Sequence, residues 1–238
     1  MGLQERVTQL AARVRRGKPD PLSSVALTVP VFLLYHLGIV LIDKRNGVDW
    51  VSGLTLRLLD SSVMAYVGVT LALAGGLIGA LWLLRRKGKV RAFQLMPIIA
   101  ESTGWALLML VTVGWATQQV LSAGAALTPL EKLVMSAGAG FHEELVFRVL
   151  LISGGVRLLM RAGSMAAPRA WAIALIGSAV VFSLVHHVGA LGEPFTLAAF
   201  VFRTFAGLFL SLVYVARGFA VAVYTHALYD VLIFFVLG

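Results

Sequence analysis

Two adjacent carboxylates, Glu143 and Glu144, stand four residues or so before an arginine, Arg148, inside a stretch otherwise apolar enough to lie in a bilayer. A charged side chain at the bilayer centre costs roughly 2.5–3.5 kcal/mol, so three together require partners that offset the cost. On a helix Glu144 and Arg148 are i and i+4 and share a face, where they can pair. Glu143 points about 100° away from that pair, toward something else. Two other apolar stretches carry groups it could face. One ends Phe182-Ser183-Leu184-Val185-His186-His187, and the last contains His226-Ala227-Leu228-Tyr229-Asp230. His226 and Asp230 are again i and i+4 and lie on one face. Taken singly, each histidine reads most simply as a satisfied buried residue. Taken together, Glu143, Glu144, Arg148 and Asp230 would cost on the order of 10 kcal/mol if unpaired, and one shared polar cavity is the cheapest arrangement.

The chain has no cysteine, which removes thiolate catalysis, disulfides and Cys-ligated metals. No serine or threonine stands beside the acids as an activated nucleophile, and Ser183 has no evident role. A carboxylate and an imidazole converging on one spot suit activation of a water molecule. Glu144, paired with Arg148, is expected to stay ionised, which leaves Glu143 as the group suited to accept a proton. A second histidine with a side chain at i+4 can donate to a tetrahedral oxyanion. The chemistry implied is hydrolysis of a peptide or similar acyl bond. Zinc held by Glu143, His186 and His226 is the chemical alternative. His142-Glu143 begins like a zincin helix, but HExxH needs histidine where Val146 stands.

The elements that must position these groups are membrane helices. The 238 residues are 59% hydrophobic and 13% charged, with mean hydropathy +0.91. Soluble domains are nearer 25% charged. Seven apolar runs are expected to span, approximately Leu22–Ile42, Ser62–Leu84, Leu95–Val120, Leu130–Leu151, Ala170–His186, Phe195–Ala216 and Phe219–Leu237, with room for a short extra helix around 150–165. The fold class is therefore all-α, a polytopic transmembrane helical bundle, with residues 22–238 forming a single domain. Residues 1–21 form a basic tail, read either as an amphipathic helix on anionic headgroups or as a solvated segment. The net charge of +9 lies mainly in the short gaps between runs, so it reads as topology and not as nucleic-acid binding. Basic and non-basic gaps alternate: Arg85–Arg91 has five bases and no acid, whereas Asp43–Asp60 is balanced and 124–128 is uncharged. The N-terminus is expected in the cytoplasm and the C-terminus outside, in an inner membrane of prokaryotic type.

Other polar residues in the runs have simpler readings. His36 is expected to be packed or hydrogen-bonded. Glu101 is expected to snorkel toward Arg86 or Arg91, and Gln118 and Gln119 to be interfacial. Arg203 lies deeper in the sixth run, where a helix–helix pair, outward snorkelling or contact with a substrate carboxylate would satisfy it. Gly75, Gly76 and Gly79, and Gly138 with Gly140, are suited to close helix contacts.

Glu143-Glu144-x-x-x-Arg148, Phe182-x-x-x-His186 and His226-x-x-x-Asp230, in that order on successive membrane runs, resemble the three motifs of the CAAX protease and bacteriocin-processing (CPBP, or Abi) family. That family contains intramembrane glutamic endopeptidases, and the resemblance covers 130–238. It implies that Glu143 activates water, that His186 helps hold and polarise it, and that Glu144 and Arg148 orient the site. It further implies an oxyanion hole at His226 and residue 230, a membrane-anchored or membrane-proximal protein or peptide as substrate, and no cofactor. In prenyl-protein-processing members the last motif ends in asparagine, whereas here it ends in Asp230. An ionised Asp230 would repel an oxyanion, so it is expected either to be protonated or to orient His226 through a ring N–H, the second being the preferred reading. The rival from another class is a proton-coupled transporter or channel, since buried Glu, His and Asp also form proton relays.

Overall fold

The computed structural model describes residues 18–42, 44–86, 95–114, 127–188 and 192–237. Most of the basic tail, Gln118, Gln119 and Arg91 lie outside these residues. The described chain is helical, and no strand occurs among the described residues. Helices α1 (Pro21–Leu27) and α2 (Val29–Gly38) form one apolar pair bent by 44°, and Pro30 at the start of α2 accounts for the break. A short helix, α3 (Trp50–Leu58), then occupies the charge-balanced gap between the first two apolar runs. Asp49 caps it by accepting from the Ser52 N–H at 2.9 Å. Helices α4 (Val63–Arg86) and α5 (Leu95–Val113) follow.

The fourth expected span is one unbroken helical path over 129–161, but its register changes along the way. It begins as α6 (Pro129–Gly138), turns π-helical over Ala139–Glu143 and again over Leu145–Gly154, and ends as α7 (Gly155–Arg161). Thr128 and Glu131 start it with a reciprocal capping box. The extra helix anticipated near 150–165 is thus the tail of this path and no separate element. Helices α8 (Ala167–Val185), α9 (Leu197–Arg217) and α10 (Phe219–Leu232) complete the bundle, α10 running on into a π-helical turn, Ile233–Leu237. Five helices among the described residues are long and apolar enough to cross a membrane, six with the bent α1–α2 pair. The path over 129–161, the fourth expected span, is not among these six, and it carries Glu143, Glu144 and Arg148 at its middle.

Every residue from Phe219 to Ala227 is buried, so α10 is enclosed on all sides and forms the axis of the bundle. It packs along α5 and α9 and against the start of the central path. Around its first half gathers a core that includes Tyr35, Val134, Phe141 and Val221; around its second half gathers another of Met109, Phe202, Leu210 and Ile233. The outer faces remain apolar, with Met64, Met96 and Val111 each at least 70% exposed, as side chains facing lipid would be.

Two glycines set how closely elements approach. A Cβ on Gly140 would lie 2.7 Å from the Val223 carbonyl oxygen and 2.8 Å from the Ala227 Cβ, so the π-turn before Glu143 rests directly on α10. Gly218 turns α9 into α10 at φ +95°, a conformation that suits glycine. Gly75, Gly76 and Gly79 behave differently from expectation: among the described residues, no atom of another element lies within 4 Å of a Cβ built on any of them.

Candidate active site

The fourth, fifth and seventh runs turn their ionisable groups toward one another. Glu143 Oε2 lies 3.7 Å from His186 Nε2 and 4.0 Å from His226 Nε2. It is buried and accepts no hydrogen bond from any described residue. The other carboxylate oxygen, Oε1, accepts from the Asn46 side-chain amide at 2.8 Å. One oxygen of Glu143 is therefore tethered, and the other is aimed between two imidazoles.

Each imidazole is held by its far nitrogen. His186 closes α8, and its Nδ1–H donates to the Phe182 carbonyl one turn back at 2.7 Å, which leaves the Nε2 lone pair directed at Glu143. His226 Nδ1 lies 2.9 Å from Glu144 Oε1. Glu144 Oε2 in turn lies 3.0 Å from Arg148 Nε, so the i, i+4 pair read from the sequence is present, with both side chains fully buried. The Arg148 guanidinium also sits over the Phe182 ring, 5.0 Å from its centroid. Arg148, Glu144 and His226 thus form a continuous line. Asp230 Oδ2 is 3.9 Å from His226 Nε2, too far for a hydrogen bond. The ring N–H of His226 is engaged by Glu144 and not by Asp230, a correction to the sequence reading, which had no means of seeing a partner 82 positions away.

Glu143, His186, His226 and Asp230 line a cavity of about 190 Å³, together with Arg203 and Tyr229. The remaining wall is apolar, from Met109, Phe182, Phe202 and Leu210 among others. The space suffices for several water molecules. At 1.5 Å rise per residue, His226 lies about 12 Å from the turn at Gly218 that opens α10, whereas His186 lies at the far end of α8. Their approach to the same oxygen means that the ends of α8 and α10 are staggered. Among the described residues no three His, Asp or Glu side chains are disposed to hold a metal ion.

Asn46 is the functional candidate that sequence reasoning missed. It lies in the short connection before α3, where an asparagine reads as a turn former. Its orientation is fixed, because its side-chain oxygen accepts from the Val48 N–H at 2.9 Å and so its amide nitrogen faces Glu143. The Asn46 backbone N–H donates to the Tyr35 hydroxyl at 2.9 Å, and that hydroxyl donates to Asp49 at 2.7 Å. Burial pushes the Asp49 carboxyl up, but the His142 ring, the Ser52 N–H and O–H and the Tyr35 hydroxyl outweigh it and hold Asp49 below the usual carboxylate range. His36 is buried and bonded to the Tyr66 hydroxyl at 2.6 Å, a packed histidine as expected. Glu101 pairs with Arg217, at 2.8 Å from Nη2, in place of the Arg86 contact expected of it, while Arg91 lies outside the described residues. Arg203 pairs with Glu193 in the connection before α9.

Comparison with protein families matches residues 125–232 to the type II CAAX prenyl endopeptidase (Rce1-like) family. The match contains all three motifs and begins after the first three runs. Comparison with curated proteins and with solved structures returned no match.

Proposed function

From an integral-membrane helical bundle whose residues 125–232 carry the pattern of a CAAX endopeptidase family, a family of proteases, we propose an intramembrane endopeptidase of glutamic type. The observation that carries this reading is the Glu143 oxygen that lies within 4.0 Å of the Nε2 atoms of both His186 and His226 in one cavity. A water seated there donates one proton toward Glu143 Oε2 and the other toward the His186 Nε2 lone pair, which leaves its own lone pair for the carbonyl carbon of a peptide bond. Glu143 takes the proton as the C–O bond forms. With hydrogen on both ring nitrogens, His226 donates one to Glu144 and keeps Nε2–H for the oxyanion. Collapse of the tetrahedral intermediate breaks the C–N bond, and Glu143 returns its proton to the departing amine. No metal enters this scheme.

The substrate is a membrane-anchored or membrane-proximal protein or peptide. Two connections reach the site, 44–49 through Asn46 and 192–196 through Glu193. By charge asymmetry both belong to the face opposite the basic gaps, so the scissile bond lies toward the non-cytoplasmic side of a prokaryotic-type inner membrane.

The test is cleavage of a panel of quenched fluorescent membrane-anchored peptides, with and without a prenylated cysteine, by protein in proteoliposomes. Wild type should cut at least one member in the presence of EDTA and 1,10-phenanthroline. Glu143→Ala and His226→Ala should each lower kcat by about 10²- to 10⁴-fold, with an unchanged elution profile. Inhibition by chelators that zinc reverses would replace the glutamic mechanism with a metal-dependent one.

A further inference from the structure

A second groove shares no residue with the Glu143 cavity and is larger, at about 800 Å³, within the range usual for ligand sites. It runs between α1 on one side and the central path, α8 and the end of α9 on the other. Val149, Ser153 and Arg157 follow one another at four-residue spacing on the path, and Trp171 and Leu175 do so on α8, so each presents one face to the groove. The two faces grade alike. Arg157 and Trp171 stand nearest the connection 162–166, in a region where 157–169 holds three arginines and no acid, and Val149 and Leu175 lie farther from it. Charge and an interfacial indole at one end, with aliphatic side chains at the other, match the order of headgroup and acyl chain in a bilayer.

The polar end supplies donors. Arg157 is exposed and makes no hydrogen bond or ion pair among the described residues. Lys18 Nζ donates to the Val215 carbonyl at 3.0 Å, which holds the ammonium over the end of α9. The Ser153 and Tyr214 hydroxyls share one hydrogen bond of 2.7 Å; whichever donates it, the other O–H has no acceptor among the described residues. The Trp171 indole N–H has none among them either. No acidic side chain lines the groove. A free phosphate would use the donors and leave the apolar end idle, and a zwitterionic lipid would set its own cation beside Arg157 and Lys18. A lipid of net negative charge uses both ends.

We propose that this groove binds an anionic phospholipid of the leaflet next to the basic gaps. Arg157 and Lys18 take the phosphate, the Ser153–Tyr214 pair donates its remaining O–H to the headgroup, and the upper acyl chain lies over Val149 and Leu175 beside Trp171. Charge asymmetry puts this end of the bundle on the cytoplasmic side, where basic pockets between membrane helices bind anionic headgroups. The site stands apart from the hydrolytic reading and does not need it, since none of these side chains borders the Glu143 cavity. Its occupant rests on the helical path that carries Glu143, at Val149, one residue past Arg148.

The test reads lipid bound to the full-length protein in detergent by native mass spectrometry. Phosphatidylglycerol should bind about tenfold or more tightly than phosphatidylcholine of the same chains. Arg157→Gln and Lys18→Gln should each weaken phosphatidylglycerol binding by about fivefold. Arg85→Gln, the same loss of charge on the same membrane face but outside the groove, should leave it unchanged. A second measurement places the chain. In phosphatidylcholine nanodiscs, tryptophan fluorescence should be quenched more by brominated-chain phosphatidylglycerol than by an equal fraction of brominated phosphatidylcholine. That excess should vanish in Trp171→Phe and persist in Arg85→Gln. Equal binding of the two lipids by wild type, an equal loss in Arg85→Gln, or an excess that survives Trp171→Phe overturns the proposal. Inorganic phosphate that displaces the lipid at equal concentration assigns the donors to a free anion and overturns it too. The wild-type comparison alters no residue, so a variant that fails to fold does not shelter the proposal.

Discussion

At the scale of single residues, burial decides what each charge must do. Arg148 and Glu144 are both fully buried, and removing one partner of such a pair leaves the other uncompensated. Arg148→Leu should therefore destabilise the protein by about 3–5 kcal/mol, seen as a lower melting temperature in detergent. Asn46 makes a subtler contribution. Its amide holds one oxygen of Glu143 and so decides which oxygen meets the two histidines. A hydrogen bond to a charged group is worth about 1.5–3 kcal/mol. Asn46→Ala should lower kcat by roughly ten- to a hundredfold at nearly constant KM, and a proportional rise in KM would instead assign Asn46 to substrate binding.

At the scale of elements, the π-helical register of the central path is the feature that shapes the site. A π-turn widens the helix locally and shifts the facing of every residue after it, and such turns recur at functional sites. Here one ends at Glu143 and the next begins at Leu145. Residue types forecast the pairing of Glu144 with Arg148, which spans four positions in either reading. They did not forecast the register change. Gly140 lets this segment rest on α10, which carries His226. Gly140→Ala should force the two apart at a cost of about 1–3 kcal/mol. The expected readout is a loss of activity larger than the drop in melting temperature suggests, because His226 moves with α10. Unchanged turnover would mean that α10 has slack that the packing does not reveal.

At the scale of the whole molecule, groups that charge asymmetry assigns to one face meet at one end of the bundle. Lys18 donates to the Val215 carbonyl at 3.0 Å, and Arg217 holds Glu101. At the other end Lys44 pairs with Glu131 at 2.9 Å. The absence of native cysteine makes orientation directly measurable. A membrane-impermeant maleimide should label Ser61→Cys in intact cells, and should label Ser164→Cys only after the membrane is opened. The opposite pattern would invert the bundle and move the cavity to the cytoplasmic side.

What the sequence determined by itself was the class of fold, the order of the apolar runs and the three motifs, because hydropathy and the cost of charge in lipid act on local composition. A glutamate pair and an arginine cannot lie in such a run without partners, and histidines and an aspartate on other runs were candidates for that role. The tertiary structure alone decided who partners whom. It gave His226 to Glu144 and not to Asp230, set Glu193 on Arg203, and brought Asn46 to Glu143 from a connection outside the matched family region. Each of these contacts joins residues whose separation along the chain carries no periodic signal. They follow from helix stagger, from a π-turn and from how closely two backbones approach, and those are properties of packing.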